Sequence, residues 1–281
     1  MATTEQPTRP AVRYHGGKWM LAPWIIAHMP PCRYYLEACA GGASVLLRRE
    51  RVFREVYNDV DVEMGELFEV MRDRGPDLAR LIELTPFSRA EFNLAWKPAA
   101  DPLERARRAI VRSFMGFGGA AITESRPNGR RMTSFRSVSR QTGSHPASDW
   151  RNYPAALVAV VERLRGVVIE TLPACEAMRK LDGPEALHYL DPPYLMETRG
   201  DTDADYRCEM TIEGHRELAA CAHEMKGKVL VSGYHSALYD DLYRDWHRVE
   251  KATFADGGRP RTEVLWMNYT PPAAAVQGRL F

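Results

Sequence analysis

Apolar residues along the chain follow two rhythms. Short blocks at residues 34–37, 167–170, 187–190 and 228–234, rich in apolar residues and bounded by glycine, proline or charged turns, predict strands, and 54–59 reads as a further strand that ends in an acid. Residues 248–254 and 262–269 read as a final hairpin, whose last strand is expected to enter the sheet antiparallel. Elsewhere the spacing changes: Met64, Leu67, Phe68 and Met71, and again Leu157, Val160, Val161 and Leu164, recur three and four residues apart. That period predicts helices with one apolar stripe turned to a core. Leu218, Cys221, Ala222 and Met225 mark another amphipathic helix, stopping at Lys226-Gly227. The expected architecture is α/β in two stretches, 13–61 and 166–270, around a mainly helical insertion at 62–165. Residues 1–12 and 271–281 carry no such rhythm and are expected to be loose.

The block at 187–190 runs into Asp191-Pro192-Pro193-Tyr194. Two prolines lack amide hydrogens and disfavour helix before them, so the chain leaves the sheet at Asp191 in a rigid, extended form. The Asp191 carboxylate and the carbonyls of Asp191 and Pro192 then form an acceptor-only cluster beside the ring of Tyr194, which is expected to be exposed. Such a cluster suits a flat ligand bearing an amino group. The plainer alternative is a strand-ending turn with a surface tyrosine.

Two glycine turns precede it. Arg13-Tyr14-His15-Gly16-Gly17-Lys18-Trp19 lacks the spacing of a triphosphate-binding loop and has tryptophan where serine or threonine is needed. Residues 34–47 read as strand, glycine turn and helix, the start of a nucleotide-binding βαβ unit. The second strand ends in Asp59, 17 residues beyond Gly42, near the spacing at which a carboxylate reaches a ribose. Nicotinamide dinucleotides are the commonest rival ligand, but Gly41-Gly42-Ala43 has no third glycine.

Composition adds little. The 281 residues, 45% of them hydrophobic, suffice for one large domain or a core with an inserted one. Basic and acidic residues balance at 38 and 37, so a nucleic-acid surface has to come from local segregation. Residues 125–148 supply one: Arg126, Arg130, Arg131, Arg136 and Arg140 with no carboxylate among them, interleaved with Ser, Thr, Asn and Gly. The bland alternative is a solvated loop. Five scattered cysteines without a CxxC pair fit a reducing cytosol and give no zinc pattern, and no stretch reads as a signal peptide or a membrane span.

Taken together, Arg13-Tyr14-His15-Gly16-Gly17-Lys18, Leu36-Glu37 with Gly41, Asn58-Asp59 and Asp191-Pro192-Pro193-Tyr194 stand in the order and spacing of the Dam-type DNA adenine-N6 methyltransferases, which the chain resembles over nearly its whole length. The resemblance implies a Rossmann-like S-adenosylmethionine-dependent methyltransferase core with a mixed, mostly parallel sheet, and a target-recognition role for the helical insertion. It implies that Tyr14, Lys18, Asp59 and Asp191 line the S-adenosylmethionine site, with Asp59 on the ribose hydroxyls and Glu37 and Gly41 in the loop under the methionine. Asp191, Pro192, Pro193 and Tyr194 would be catalytic, acting on an adenine flipped from duplex DNA, with residues 196–210 closing beside it and no metal. A monomer in the cytoplasm, associated with DNA and with a cognate restriction nuclease as a candidate partner, is the expected setting. Two departures stand out: Glu37-Ala38-Cys39 replaces the family's usual Glu-Pro-Phe, and Ala43 replaces a frequent glycine. Cytosine-N4 or RNA adenine methylation, and DNA binding without catalysis, are the rival readings.

Overall fold

Five parallel strands and an antiparallel hairpin account for every strand read from the sequence. The computed structural model describes residues 6–118, 122, 133–137, 145–199, 206–254 and 260–272. Its strands are β1 (Tyr34–Glu37), β2 (Arg54–Asn58), β3 (Val168–Glu170), β4 (Ala186–Leu190), β5 (Lys228–Tyr234), β6 (His247–Phe254) and β7 (Pro260–Met267). They form one sheet in the order β3-β2-β1-β4-β5-β7-β6. Strands β1 to β5 pair in parallel, while β7 lies antiparallel between β5 and β6. Strand order reverses beside β1, between β2 and β4, and ligands of open α/β sheets bind at such a switch point, outside the carboxyl ends of the strands.

The sheet is buried on both faces, and strand alternation sorts its side chains. Tyr35, Tyr57, Leu187, Tyr189, Leu230 and Leu265 belong to one apolar cluster, and Leu36, Val56, Leu190, Val229, Val231, Val264 and Trp266 to the other. Helices α8 (Ala174–Leu181), α9 (Ile212–Glu224) and α10 (Ala237–Leu242) cover the second face. Against the first pack α1 (Ala22–Ala27), α2 (Ser44–Arg48) and the helices between β2 and β3: α3 (Val62–Asp73), α4 (Gly75–Leu84), α5 (Arg89–Leu94), α6 (Pro102–Met115) and α7 (Pro146–Leu164). Two of the helical stripes read from the sequence are buried here, Met64, Leu67, Phe68 and Met71 on α3 and Leu157, Val160, Val161 and Leu164 on α7. Residues 62–165 thus share an apolar cluster with the sheet.

The amino-terminal stretch corrects an expectation. Residues 6–12 are not a loose arm: Ala11 and Val12 are buried, Arg9 lies over the rings of Phe114 and Tyr153, and Tyr153 Oη donates to the Ala11 carbonyl. Its neighbour Arg13 is tied to α6 through Ser113 Oγ, which accepts from the Arg13 amide at 2.7 Å and donates to its carbonyl. These partners are 100 or more residues away, so composition could not reveal them. Among the described residues no helix is long and apolar enough to cross a membrane.

One buried ion cluster fastens the helices to the sheet. Arg163 of α7 donates to both carboxylate oxygens of Glu55 on β2, at 2.6 and 2.8 Å, and to the Leu46 carbonyl of α2. Arg49 lies 3.7 Å from the same carboxylate. Removing one partner of a buried pair leaves charge without compensation and costs about 3–5 kcal/mol, whereas an exposed pair contributes about 0–1 kcal/mol. Glu55→Ala is therefore expected to lower unfolding free energy by about 3–5 kcal/mol. Glu83→Ala, which breaks only the exposed Arg80–Glu83 pair, should fall within about 1 kcal/mol of the parent. Urea denaturation of both variants checks this, and equal midpoints would refute it.

Candidate active site

The carboxyl ends of β1, β2 and β4 converge on one cavity of about 410 Å³, bordered by Tyr14, Lys18, Gly41, Asp59, Asp191 and Pro193. Glu37 borders it as well. Of the catalytic and cofactor-site residues expected from the sequence, Pro192 and Tyr194, both buried beside it, do not line it.

The glycine turn is held from below. Asp59 Oδ2 accepts from the Gly41 amide at 2.7 Å, Asp59 Oδ1 accepts from the Asp61 amide at 2.8 Å, and Tyr57 Oη donates to the Gly41 carbonyl. Asn58 bridges the turn to the segment after β3, donating to Ala38 and Leu172 carbonyls and accepting from the Leu172 amide. Gly41 has φ +46°, and a Cβ there would stand 2.6 Å from the Tyr14 ring, so only glycine fits between turn and ring. Ala43, where the family often has glycine, also takes a left-handed φ of +53°.

Burial governs the two acids of this turn. Asp59 is pushed up to about 6 by burial, against the lowering effect of the Asp61 and Gly41 amides. Glu37 is pushed up to about 8 by burial, although the Leu46 amide and Tyr35 hydroxyl both donate to its Oε2. Glu37 therefore braces α2 while it borders the cavity.

At the end of β4, Asp191 Oδ1 accepts from Ser232 Oγ at 2.8 Å and meets Lys18 Nζ at 3.0 Å. Lys18 Nζ also donates to the Gly16 carbonyl, stands 3.9 Å from Glu263 and lies 4.5 Å from the centre of the Tyr194 ring. Burial alone would lower the Lys18 pKa, but Asp191 and Glu263 outweigh it and raise it, so the ammonium stays charged. Burial pushes Glu263 up to about 7, with Lys18 opposing and Asp191 reinforcing the rise.

Tyr194 departs from the sequence reading. It is 8% exposed, with Lys18 at its ring, Tyr234 meeting it at 72° with centroids 4.7 Å apart, and its hydroxyl donating to Glu263. Sequence reasoning placed it on the surface because none of these partners lies within thirty residues of it. Glu263 and Ser232 went unnoticed for a related reason. Each is a polar residue at the edge of or inside an apolar strand block, and that incongruity was their only signal.

Residues 206–211 approach from the other side, where Tyr206, Cys208 and Met210 border the cavity and the Tyr206 ring is 5.1 Å from that of His15. Of the expected closing loop, 200–205 lie outside the described residues. So do Arg126, Arg130, Arg131 and Arg140. Arg136 is described, and its guanidinium is largely buried and paired with Asp149 of α7 at 3.2 Å, rather than standing exposed for phosphate. That partner lies just past the end of the carboxylate-free stretch.

The model of the D12 class N6 adenine-specific DNA methyltransferases matches residues 14–255. The chain belongs to this family. A comparison with curated proteins found no match. The methyltransferase is thus an enzyme of adenine methylation in DNA, and its family implies an S-adenosylmethionine-dependent reaction. The match begins at Tyr14 and takes in Asp59 and the Asp191 tetrapeptide, but ends before β7 and Glu263.

The raised acids of the methyltransferase make its stability depend on pH. A carboxyl whose folded pKa exceeds its unfolded value binds more protons in the folded state across that window, so stability falls as pH rises through it. For Glu37 the window runs from its ordinary value of 4.5 to about 8. Each such group contributes up to about 1.4 kcal/mol per pH unit inside its window. His215, lowered to about 4 by burial, acts in the opposite sense up to its ordinary 6.5, so the diagnostic is a difference between proteins. Glu37→Gln, which keeps an acceptor for Leu46 and Tyr35, should decline less in stability than the parent between pH 5 and 8. Parallel curves of urea midpoint against pH would show that Glu37 does not titrate in this window.

Proposed function

We propose that this chain methylates N6 of an adenine flipped out of duplex DNA at a specific sequence, with S-adenosylmethionine in the cavity beside Asp59 and Asp191. One observation carries the reading. Asp191, the carboxylate of the acceptor cluster that suits an exocyclic amine, and Asp59, the carboxylate that suits a ribose, border the same cavity.

The residues fit that cofactor. A cavity of about 410 Å³ falls in the range of about 300–1,000 Å³ usual for small-ligand sites. Asp59 retains a lone pair on each oxygen after accepting its two amides, enough for two ribose hydroxyls. The absent Cβ of Gly41 lets the turn approach a ligand closely. Tyr14 and Lys18 close the other side, with Glu37 and Gly41 under the methionine end. When bound, S-adenosylmethionine supplies an electrophilic methyl group.

The chain's own work is on the amine. Its lone pair is delocalised into the adenine ring, and acceptors on its two hydrogens draw it toward the methyl carbon. Lys18 and Ser232 already occupy Asp191 Oδ1, which leaves Oδ2 for one N–H, and the Pro192 carbonyl, fixed by the following proline, takes the other. Extruding the base costs a few kcal/mol, offset by stacking on Tyr194. That stacking requires Lys18 or Tyr234 to uncover one part of the ring. Target recognition falls to the segment 62–165, with Arg126, Arg130, Arg131 and Arg140 as phosphate or base contacts and Arg136 held by Asp149, and the catalytic core is 13–61 and 166–270. The enzyme acts as a monomer in the cytoplasm, without a metal.

Asp191→Ala should remove methyl transfer while leaving the fold and much of the DNA affinity in place. Methyl incorporation into DNA together with mass analysis of nucleosides measures this and separates N6-methyladenine from N4-methylcytosine. Near-normal turnover in the variant would overturn the catalytic assignment. Asp59→Ala should weaken S-adenosylmethionine by about 1.5–3 kcal/mol, the value of a hydrogen bond to a charged group. Since the ribose needs the ionised acceptor, parental affinity should also fall as pH drops below about 6, approaching tenfold per unit, because protonated Asp59 must first lose its proton. Calorimetric titration at pH 5 to 8 tests both, and flat affinity across that range would mean that Asp59 does not hold the ribose.

A further inference from the structure

A second cavity, of about 630 Å³, opens at the same edge of the sheet. Its walls include Glu197 and Thr198, which follow the catalytic tetrapeptide, Tyr234 and His235 at the end of β5, and Arg261 and Thr262 at the start of β7. The ring of Tyr194 stands between the two cavities. Lys18, which borders the first, lies 4.5 Å from its centre, and Tyr234, which borders the second, meets it at 4.7 Å.

An adenine brought to Asp191 stays tethered to its own sugar and to the phosphates on either side. Those groups have to find a place on the side of Tyr194 away from the methyl donor, and the second cavity is that place. Its chemistry suits them. Arg261 Nε is buried without a hydrogen-bond partner among the described residues, and its guanidinium carbon lies 5.7 Å from the centre of the Tyr234 ring. Buried N–H groups are rarely left unmade, and a planar guanidinium presents a donor fork matched to phosphate. His235 is already paired with Asp240 at 2.8 Å, so it does not compete. Glu197 is the one carboxylate among the described lining residues.

We propose that this cavity is a nucleotide subsite which receives the sugar-phosphate adjoining the flipped adenine, with Arg261 donating to a non-bridging phosphate oxygen. The inference rests on the methyltransferase reading of the first cavity and adds to it a DNA contact outside residues 62–165.

The test uses the full chain and a duplex carrying the sequence that the protein itself methylates, identified by sequencing of DNA from cells that express it. Each phosphate around the target adenine is replaced in turn by a neutral methylphosphonate. One position should weaken binding to the parental protein several-fold and have no further effect on Arg261→Ala. That variant should also lower the slope of log affinity against log salt by about 0.9, the value of one lost phosphate contact. Arg261→Lys should keep most of that slope, and S-adenosylmethionine affinity should be parental in both variants. If Arg261→Ala does not fold, Arg261→Gln carries the same test. A parental salt slope, or methylphosphonate penalties that add to the variant's own, would overturn the subsite while cofactor binding and adenine methylation by the parental protein still stand. Failure of the parental protein to bind S-adenosylmethionine or to methylate adenine would overturn the underlying reading instead.

Discussion

The ammonium of Lys18 is the point on which the site depends. It is buried between two carboxylates, Asp191 at 3.0 Å and Glu263 at 3.9 Å, and beside an aromatic ring, Tyr194 at 4.5 Å. A buried charge without partners is costly, so the cation and its acids hold one another in place. Each comes from a different part of the chain: Lys18 from the turn before α1, Asp191 from the end of β4 and Glu263 from β7. The ion cluster thereby joins the amino-terminal turn, the central strand and the antiparallel hairpin, and Tyr194 Oη, donating to Glu263, is fixed by the same network.

Much of this was legible in the sequence, because the elements that build the site are local. Each strand ends where its sequence changes character, and side-chain function gathers at those ends: Glu37 closes β1, Asp59 follows β2 and Asp191 follows β4. A block of apolar residues, a glycine turn and an acid at the right spacing are all written within a few dozen positions. Even the hairpin was visible, as the two stretches 248–254 and 262–269. The left-handed φ of Ala43 bears on one departure from the family pattern, since the turn keeps its shape where glycine would be the easier residue.

The rest depended on contacts across long sequence separations. Tyr194 reads as a surface aromatic after two prolines, and it is buried because Lys18, Tyr234 and Glu263 arrive from elsewhere. Residues 6–12 read as a loose arm, but Arg9 finds Phe114 and Tyr153, and Ala11 and Val12 enter the core. Arg136 reads as a free cation because its stretch holds no acid, yet Asp149 is one turn into α7. In each case composition reports polarity and the fold supplies the partner. Buried ions such as Arg163 and Glu55 are the extreme case, since each alone would argue for the surface.

The charge balance at the centre follows from the same burial. With Lys18 protonated, the trio carries one net negative charge when Asp191 and Glu263 are both ionised, and none when Glu263 takes a proton. Glu263, pushed up to about 7, is poised between those states near neutral pH. A ligand that brings positive charge into the adjoining cavity would favour the ionised state, and loss of a proton from an amine held at Asp191 would favour the protonated one. The hydrogen bond from Tyr194 links that change to the ring on which a base would stack. Charge on Glu263 strengthens the bond, and protonation weakens it, because a hydrogen bond to an ionised acceptor is about twice as strong as one to a neutral acceptor.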